Sequence, residues 1–460
     1  MKKNILLIFL STLILAYSSS IVWAEPYTET TLHHDENGIL ELNAEAAILI
    51  DAMTGEILYE KNSTKKEYPA SITKIMTALL AFEYGKMDEV ITFSHNAVFG
   101  IEPGSSHIAL QENEQITMEQ AMYALLLRSA NESALGIAEQ IDSSVEKFAE
   151  HMTARAKELG CNNTNFINPN GLHSENHYTT AYDMALIAKE ALKFDEFKKM
   201  IQTTYYEIPP TNKQEETRYL YAQHQMIKPP SKYVYEGCEG GKTGFTDEAQ
   251  NTLVTYAKRD NTELIAVVLK CKGAQHYEDT IKLFDYGFSN YKTVELYSIE
   301  QSSQKIPITT QQNQKLETDF IFAKPSETVY KTVPIDFDLS KVTKKINSIE
   351  NLNIPIYKND VVATVTFYYE QKPIQTMELL AQNSIVSEQQ SITASAQNDK
   401  KINNTKTSFS NDKIWFFDSV SSLFIFAVFC SIISFFVALI ISRLLYRKKQ
   451  KKHRFAKRKR

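Results

Sequence analysis

The 460-residue chain is 43% hydrophobic and 23% charged, a globular composition with room for two or three domains. Its formal charge of −5 hides an asymmetry: with the ten Lys and Arg of residues 447–460 set apart, 40 basic residues face 55 acidic ones, leaving a body near −15. Such a body argues against nucleic acid or an anionic polymer held by charge. Cys161, Cys238 and Cys271, an odd set with no C-x-x-C spacing, predict neither a disulfide framework nor a zinc site.

Both ends read as targeting segments. Met1-Lys2-Lys3, an apolar core from Ile5 to Leu15 and the small-residue close Val22-Trp23-Ala24 predict a secretory signal peptide over 1–24, an uncleaved anchor being the alternative. A polar leader occupies 25–43. Near the other end, residues 419–443 are almost wholly apolar, long enough to span a bilayer as a helix, with Trp415 just before them. The basic tail over 444–460 then faces the cytoplasm by the positive-inside rule. Directly after a span, that tail is a topological anchor rather than a nucleic-acid arm.

Between these ends, Ala46-Ala47-Ile48-Leu49-Ile50-Asp51 and Glu56-Ile57-Leu58-Tyr59-Glu60 predict a hairpin turning at Met53-Thr54-Gly55. Pro69 pushes Tyr68 out of the helical region, so a helix starts after it, with Ile75, Met76, Leu79 and Leu80 as its apolar stripe. Ser71 and Lys74 share one face of that helix. Thr117-Met118-Glu119-Gln120 is a capping box opening a helix that halts at Arg128-Ser129-Ala130-Asn131, and another helix follows through Ala134 and Ile137. Ser143-Ser144-Val145-Glu146 opens a helix ending at Gly160, Asn168-Pro169-Asn170-Gly171 is a turn, and Thr179-Thr180 opens one more helix. Three strands of a meander follow, over Gly240–Phe245, Asn251–Ala257 and Glu263–Leu269, then a helix through Ile281, Leu283 and Phe284. The order predicts an α+β domain over 44–298, an antiparallel sheet flanked by helices. Short alternating runs such as Asp319–Ala323 and Val361–Tyr368 predict a small all-β domain over 302–390, and the polar run 391–413 is a flexible linker.

A serine hydroxyl becomes a nucleophile when a neutral base takes its proton, and burial in an apolar helix lowers a lysine's pKa. Ser71-x-x-Lys74 has those ingredients, although the spacing alone is common. Ser129-Ala130-Asn131 in a break between helices and Lys242-Thr243-Gly244 on a strand complete an ordered set of three motifs. With the stretches Phe166–Leu172, His177–Ala185 and Lys242–Ala249, this set resembles the low-molecular-weight penicillin-binding proteins of the serine D-alanyl-D-alanine carboxypeptidase family. The resemblance covers residues 44–291 well and continues weakly into the β domain.

The resemblance implies a penicillin-binding-protein or serine β-lactamase-like fold and an enzyme that removes the terminal D-Ala from peptidoglycan pentapeptides. Ser71 would be the acyl-ester nucleophile, Lys74 the general base, Ser129 a proton relay and Asn131 an orienting residue. Lys242 and Thr243 would hold the terminal carboxylate, Gly244 would allow close approach, and the backbone N–H groups of Ser71 and Phe245 would form the oxyanion hole. It implies no metal and no cofactor. Its partners would be stem peptides ending in D-Ala-D-Ala, β-lactam antibiotics and, through the C-terminal helix, the bilayer of a bacterial cell, with the catalytic domain outside and the C-terminus in the cytoplasm. The chain departs from the family pattern at Asn113 and Gln250, where glycine is usual, and at Tyr221–Gln225. A β-lactamase is disfavoured because Glu175 is not in a Glu-x-x-Leu-Asn setting, and a catalytically silent wall-binding scaffold because all three motifs are intact. His173 and His177 flank a turn and are read as structural.

Overall fold

The computed structural model describes residues 40–300, 303–312, 315–349, 352 and 354–385. The signal peptide, the linker and the apolar span expected from the sequence lie outside these residues. Among the described residues no helix is long and apolar enough to cross a membrane.

The first domain is built on a five-stranded antiparallel sheet. Strands β1 (Ala46–Asp51) and β2 (Ile57–Lys61) form the expected hairpin. After it come a 3-10 turn (Ala70–Thr73) and helices α1 (Lys74–Tyr84), α2 (Met118–Leu127), α3 (Asn131–Asp142), α4 (Val145–Glu158), α5 (Ala181–Ala191) and α6 (Asp195–Gln202). A small hairpin, β3 (Tyr205–Ile208) and β4 (Arg218–Tyr221), precedes the meander β5 (Cys238–Thr246), β6 (Gln250–Arg259) and β7 (Thr262–Cys271), and α7 (Gln275–Asn290) closes the unit. The sheet order is β2-β1-β7-β6-β5. A short helix, His95–Phe99, and a ribbon of Val90–Thr92 with Gln115–Thr117 lie between α1 and α2.

Strand β7 explains why the sheet is a sandwich filling. Its Ile265, Val267 and Leu269 point into a core shared with α1, α2 and α5, while Leu264, Ala266 and Val268 point into a second core with Leu283 and Phe284 of α7. Successive side chains in a strand face opposite ways. A strand covered on both sides therefore reads as an unbroken apolar run.

The helix starts follow local chemistry. At α2 both halves of the capping box form: Gln120 N donates to Thr117 Oγ1 at 3.2 Å and Thr117 N to Gln120 Oε1 at 2.9 Å. Ser144 and Thr180 cap α4 and α5. The start after Pro69 differs from the expected α-turn. Ala70 takes a φ of +51°, and Ser71 sits on the 3-10 turn, with α1 beginning only at Lys74. A 3-10 turn eclipses residues three apart, so the Ser-x-x-Lys spacing brings its side chains together more directly than an α-turn would.

Two departures from the family pattern acquire a backbone reason. Asn113 and Gln250 have φ of +63° and +53°, the left-handed region in which glycine is free and other residues are strained by about 1–2 kcal/mol. Asparagine is the better tolerated of the two.

The second domain is a five-stranded antiparallel sheet of β9 (Gln304–Gln312), β10 (Lys315–Lys324), β14 (Lys372–Ala381), β13 (Val361–Tyr369) and β12 (Val342–Ser348), in that order. Ile306, Ile321, Val365, Phe367 and Leu379 are in its core. Strand β8 (Tyr291–Tyr297) leaves the first domain and pairs antiparallel with β11 (Val329–Pro334). The pair is pinned to the first hairpin: Thr54 and Thr332 hydroxyls meet at 2.6 Å, Lys331 reaches Glu56 at 2.8 Å, and Thr293 Oγ1 donates to Asp51.

Candidate active site

Three elements bring the predicted residues together. The 3-10 turn supplies Ser71, and Lys74 follows it at the first position of α1. Lys74 Nζ lies 3.0 Å from Ser71 Oγ, 2.8 Å from Asn131 Oδ1 and 2.5 Å from the carbonyl oxygen of Asn170. The break between α2 and α3 supplies Ser129, at a φ of +59°, and Asn131, whose N–H is held by Ser106 O at 2.8 Å. Lys242 on β5 donates to Ser129 Oγ at 3.1 Å and to Thr243 O at 2.7 Å.

Glycines set the spacing between these elements. A Cβ on Gly244 would stand 2.8 Å from Ser71 N and 2.4 Å from Thr252 Oγ1. One on Gly171, at a φ of +83°, would stand 1.9 Å from Ala70 O. No side chain fits at either place, so β5 and the Asn168–Gly171 turn press directly against the backbone around Ser71. Thr252 Oγ1 donates to Pro69 O at 2.8 Å and Thr77 Oγ1 to Pro169 O at 2.5 Å, fixing that packing.

The cleft in front of Ser71 encloses about 400 Å³ and is lined by Ser129, Asn131, Gln223, Thr243 and Phe245 among others. Phe245 stands exposed on its rim. A larger groove of about 840 Å³ lies elsewhere, lined by Glu56, Lys189, Tyr330, Lys331 and Glu378. It contains none of the three motifs, which all contribute to the smaller cleft or lie directly behind it.

Electrostatics favour a neutral Lys74 amine. Lys74 is wholly buried, and desolvation, then the like charge of Lys242, hold its pKa well below the ordinary lysine value. Burial alone brings Lys242 down to about 7. Opposing these is Glu132, which sequence reasoning missed. It is buried beside Asn131, its own pKa is raised by desolvation, and its charge pulls the Lys74 pKa upward. One carboxylate oxygen accepts from Ile108 N at 2.7 Å; the other has no hydrogen-bond partner among the described residues. A glutamate at the second position of an amphipathic helix gives no sequence signal of burial. The Asn170 carbonyl was equally hidden, because any residue in the turn offers one.

His177 is structural, as expected. Its Nδ1 accepts from Ile167 N at 3.1 Å, so Nε2 carries the proton and donates to Thr73 Oγ1 at 2.9 Å. Desolvation, then Lys74, lowers its pKa to about 3, so it stays neutral behind the serine turn. His173 packs edge-on against Tyr68. The three described cysteines are free thiols. Among the described residues no group of His, Cys, Asp or Glu is placed to hold a metal ion.

The chain is similar to known proteins along most of its described length. Residues 29–273 match the D-alanyl-D-alanine carboxypeptidase peptidase family, and residues 291–387 match the C-terminal domain of penicillin-binding protein 5. The chain is 36% identical over 329 residues to D-alanyl-D-alanine carboxypeptidase DacF of Bacillus subtilis, covering 70% of this chain and 80% of that protein. It is 28% identical to DacA of Escherichia coli K12, over 76% of this chain and 85% of the relative. Penicillin-binding protein 5 of Haemophilus influenzae superposes with a TM-score of 0.65 at 24% identity, over 76% of this chain and 99% of that structure, a likeness of fold.

The charges around Lys74 make a signed prediction. The pH dependence of Ser71 modification by a serine-directed acylating reagent should have an acid limb set by Lys74, which must lose its proton to act. Lys242→Gln removes a like charge, so the Lys74 pKa rises and the limb moves to higher pH. Glu132→Gln removes an opposite charge, and the limb moves to lower pH. Limbs that stay put, or move the other way, would show that Lys74 does not set the profile.

Proposed function

Since the chain belongs to the D-alanyl-D-alanine carboxypeptidase family and is a serine hydrolase with the penicillin-binding function of that family, we propose that Ser71 forms the acyl-enzyme as it trims D-Ala from stem pentapeptides. The observation that carries this is the pairing of Ser71 Oγ with a wholly buried Lys74 amine at 3.0 Å.

A neutral amine has two N–H donors and one lone pair. Asn131 Oδ1 and Asn170 O accept the two N–H groups, which leaves the lone pair for the Ser71 hydroxyl. Lys74 takes that proton as Oγ attacks the carbonyl of the penultimate D-Ala. Backbone N–H groups of Ser71 and Phe245 receive the developing oxyanion, about 3 kcal/mol per donor. The C–N bond then breaks. Because Lys242 donates to Ser129 Oγ, the Ser129 hydroxyl proton is free to pass to the departing amine, and the proton that Lys74 took from Ser71 replaces it on Ser129, which leaves Lys74 neutral again. Water attacks the acyl ester in the second half, with Lys74 again as base.

Substrate entry completes the electrostatics. The terminal carboxylate sits beside Lys242 and Thr243 and raises the Lys242 pKa, so Lys242 carries its charge when substrate is bound. That charge in turn disfavours protonation of Lys74. The clamp and the base are thereby coupled.

A pentapeptide with a free terminal carboxylate should be cut far faster than the same peptide amidated there. The amide leaves Lys242 desolvated and unpaired, costing about 2–3 kcal/mol or roughly fifty- to a hundredfold in kcat/KM. Equal cleavage of both would remove Lys242 and Thr243 from this role. Rapid turnover of penicillin would instead indicate a β-lactamase, and binding without cleavage of either peptide a scaffold.

We also propose that the catalytic body acts outside the cytoplasm, exported by residues 1–24 and tethered through 419–443 with its basic tail inside. The sequence pattern supports this reading. Protease added to intact cells should digest the body but not a C-terminal tag; a protected body or an accessible tag would refute the topology.

A further inference from the structure

The hairpin of β3 and β4 has two unlike faces. Its register pairs Tyr205 with Tyr221, Tyr206 with Leu220, Glu207 with Tyr219 and Ile208 with Arg218. On the inner face Ile208 and Leu220 are buried, and Tyr206 stacks on Tyr123 of α2 with ring centroids 3.7 Å apart. The outer face holds Tyr205, Tyr219 and Tyr221, which are 40%, 58% and 51% exposed. A solvent face on a two-stranded ribbon is normally polar. Here three aromatic rings form one patch: Tyr205 and Tyr219 lie 6.3 Å apart with planes 11° from parallel, and Tyr221 lies 5.1 Å from Tyr205. Clustered exposed aromatics mark interaction surfaces more often than isolated ones do.

The patch is rigid and adjoins the cleft. Tyr205 OH donates to the Glu207 carboxylate, fixing one ring. Arg218 fastens the hairpin through both Glu114 oxygens, at 2.6 and 3.0 Å, and through the carbonyls of Ile108 and Ala109. The Tyr221 carbonyl accepts from Arg128, the residue before Ser129. Two residues beyond Tyr221, Gln223 lines the cleft, its N–H held by Leu127 O at 3.2 Å. A chain leaving the active site past Gln223 therefore meets the tyrosines next.

We propose that this tyrosine face is a saccharide platform, which holds the amino-sugar strand carrying the stem peptide while the peptide end occupies the cleft. The proposal rests on the carboxypeptidase reading above and names the polymer that reading leaves open. A pyranose ring presents an apolar C–H face and equatorial hydroxyls. Tyrosine faces suit the first, and tyrosine hydroxyls with the Glu207 carboxylate suit the second. Charge favours a neutral sugar over an anionic bilayer: besides Glu207, the loop between β3 and β4 carries exposed Glu215 and Glu216 against one exposed lysine, Lys213.

The test is a Tyr219→Thr/Tyr221→Thr double variant, threonine being at home in a strand. Two activities and two binding probes are measured: D-Ala release from free pentapeptide and from glycan-linked pentapeptide, and binding of peptide-free N-acetylated amino-sugar oligomers and of phosphatidylglycerol vesicles. The expected result is an unchanged kcat and KM on free pentapeptide, a KM about tenfold higher on the glycan-linked substrate, from two lost ring contacts, and loss of oligomer binding. Equal values for both proteins on both substrates would overturn the platform. So would a parallel loss on both substrates, which marks a structural role, or wild-type binding to vesicles alone, which marks a membrane contact. If the wild type cut neither substrate, the carboxypeptidase reading would fail, and the oligomer titration would still decide the platform.

Discussion

Two lysine side chains are buried in one small volume, and the architecture around the cleft follows from accommodating them. An isolated ammonium in an apolar interior is prohibitively costly, so it must find acceptors, a counter-charge or neutrality. Lys74 meets Asn131 Oδ1, Asn170 O and Ser71 Oγ; Lys242 meets Ser129 Oγ and a backbone carbonyl. All of these partners are neutral oxygens. Neutralisation of Lys74 is then the cheapest outcome, and a neutral lysine beside a serine has the lone pair that the proposed base requires.

The fold supplies the acceptors by close backbone contact rather than by long side chains. Gly171 and Gly244 bring a turn and a strand within touching distance of the Ser71 backbone, leaving no room for a Cβ. Strained positions collect in the same place: Ala70 and Ser129 both lie at positive φ. Such conformations persist only where surrounding packing over-determines them. Here Thr77, Thr252 and the neutral His177 do so, each tying a backbone or hydroxyl group next to Ser71.

Much of this was legible in the chain. The apolar runs of Ala46–Asp51 and of β7, the capping box at Thr117 and the turn at Asn168 each encode one local geometry. The three motifs could be placed at a helix start, in a helix break and on a strand, although the first proved to be a 3-10 turn. What stayed hidden arises from tertiary context. The left-handed Ala70 has no composition signal, because packing by Gly171 and Thr252 imposes it from a distance. Burial of Glu132 depends on the loop before α2, and β8 looks like any short strand until β11 is folded against it. The positive φ of Gln250 was visible only as a departure from a glycine pattern.

The central claim is that Ser71 is the acylated atom and Lys74 the base that activates it. It is tested most directly by mapping, through peptide mass spectrometry, the site at which penicillin attaches to the full chain, to Ser71→Ala and to Lys74→Met. The account predicts one adduct, on the peptide containing Ser71, absent from Ser71→Ala and lost from Lys74→Met although that variant melts as a folded protein. An adduct on any other residue, or undiminished labelling of Lys74→Met, would contradict it.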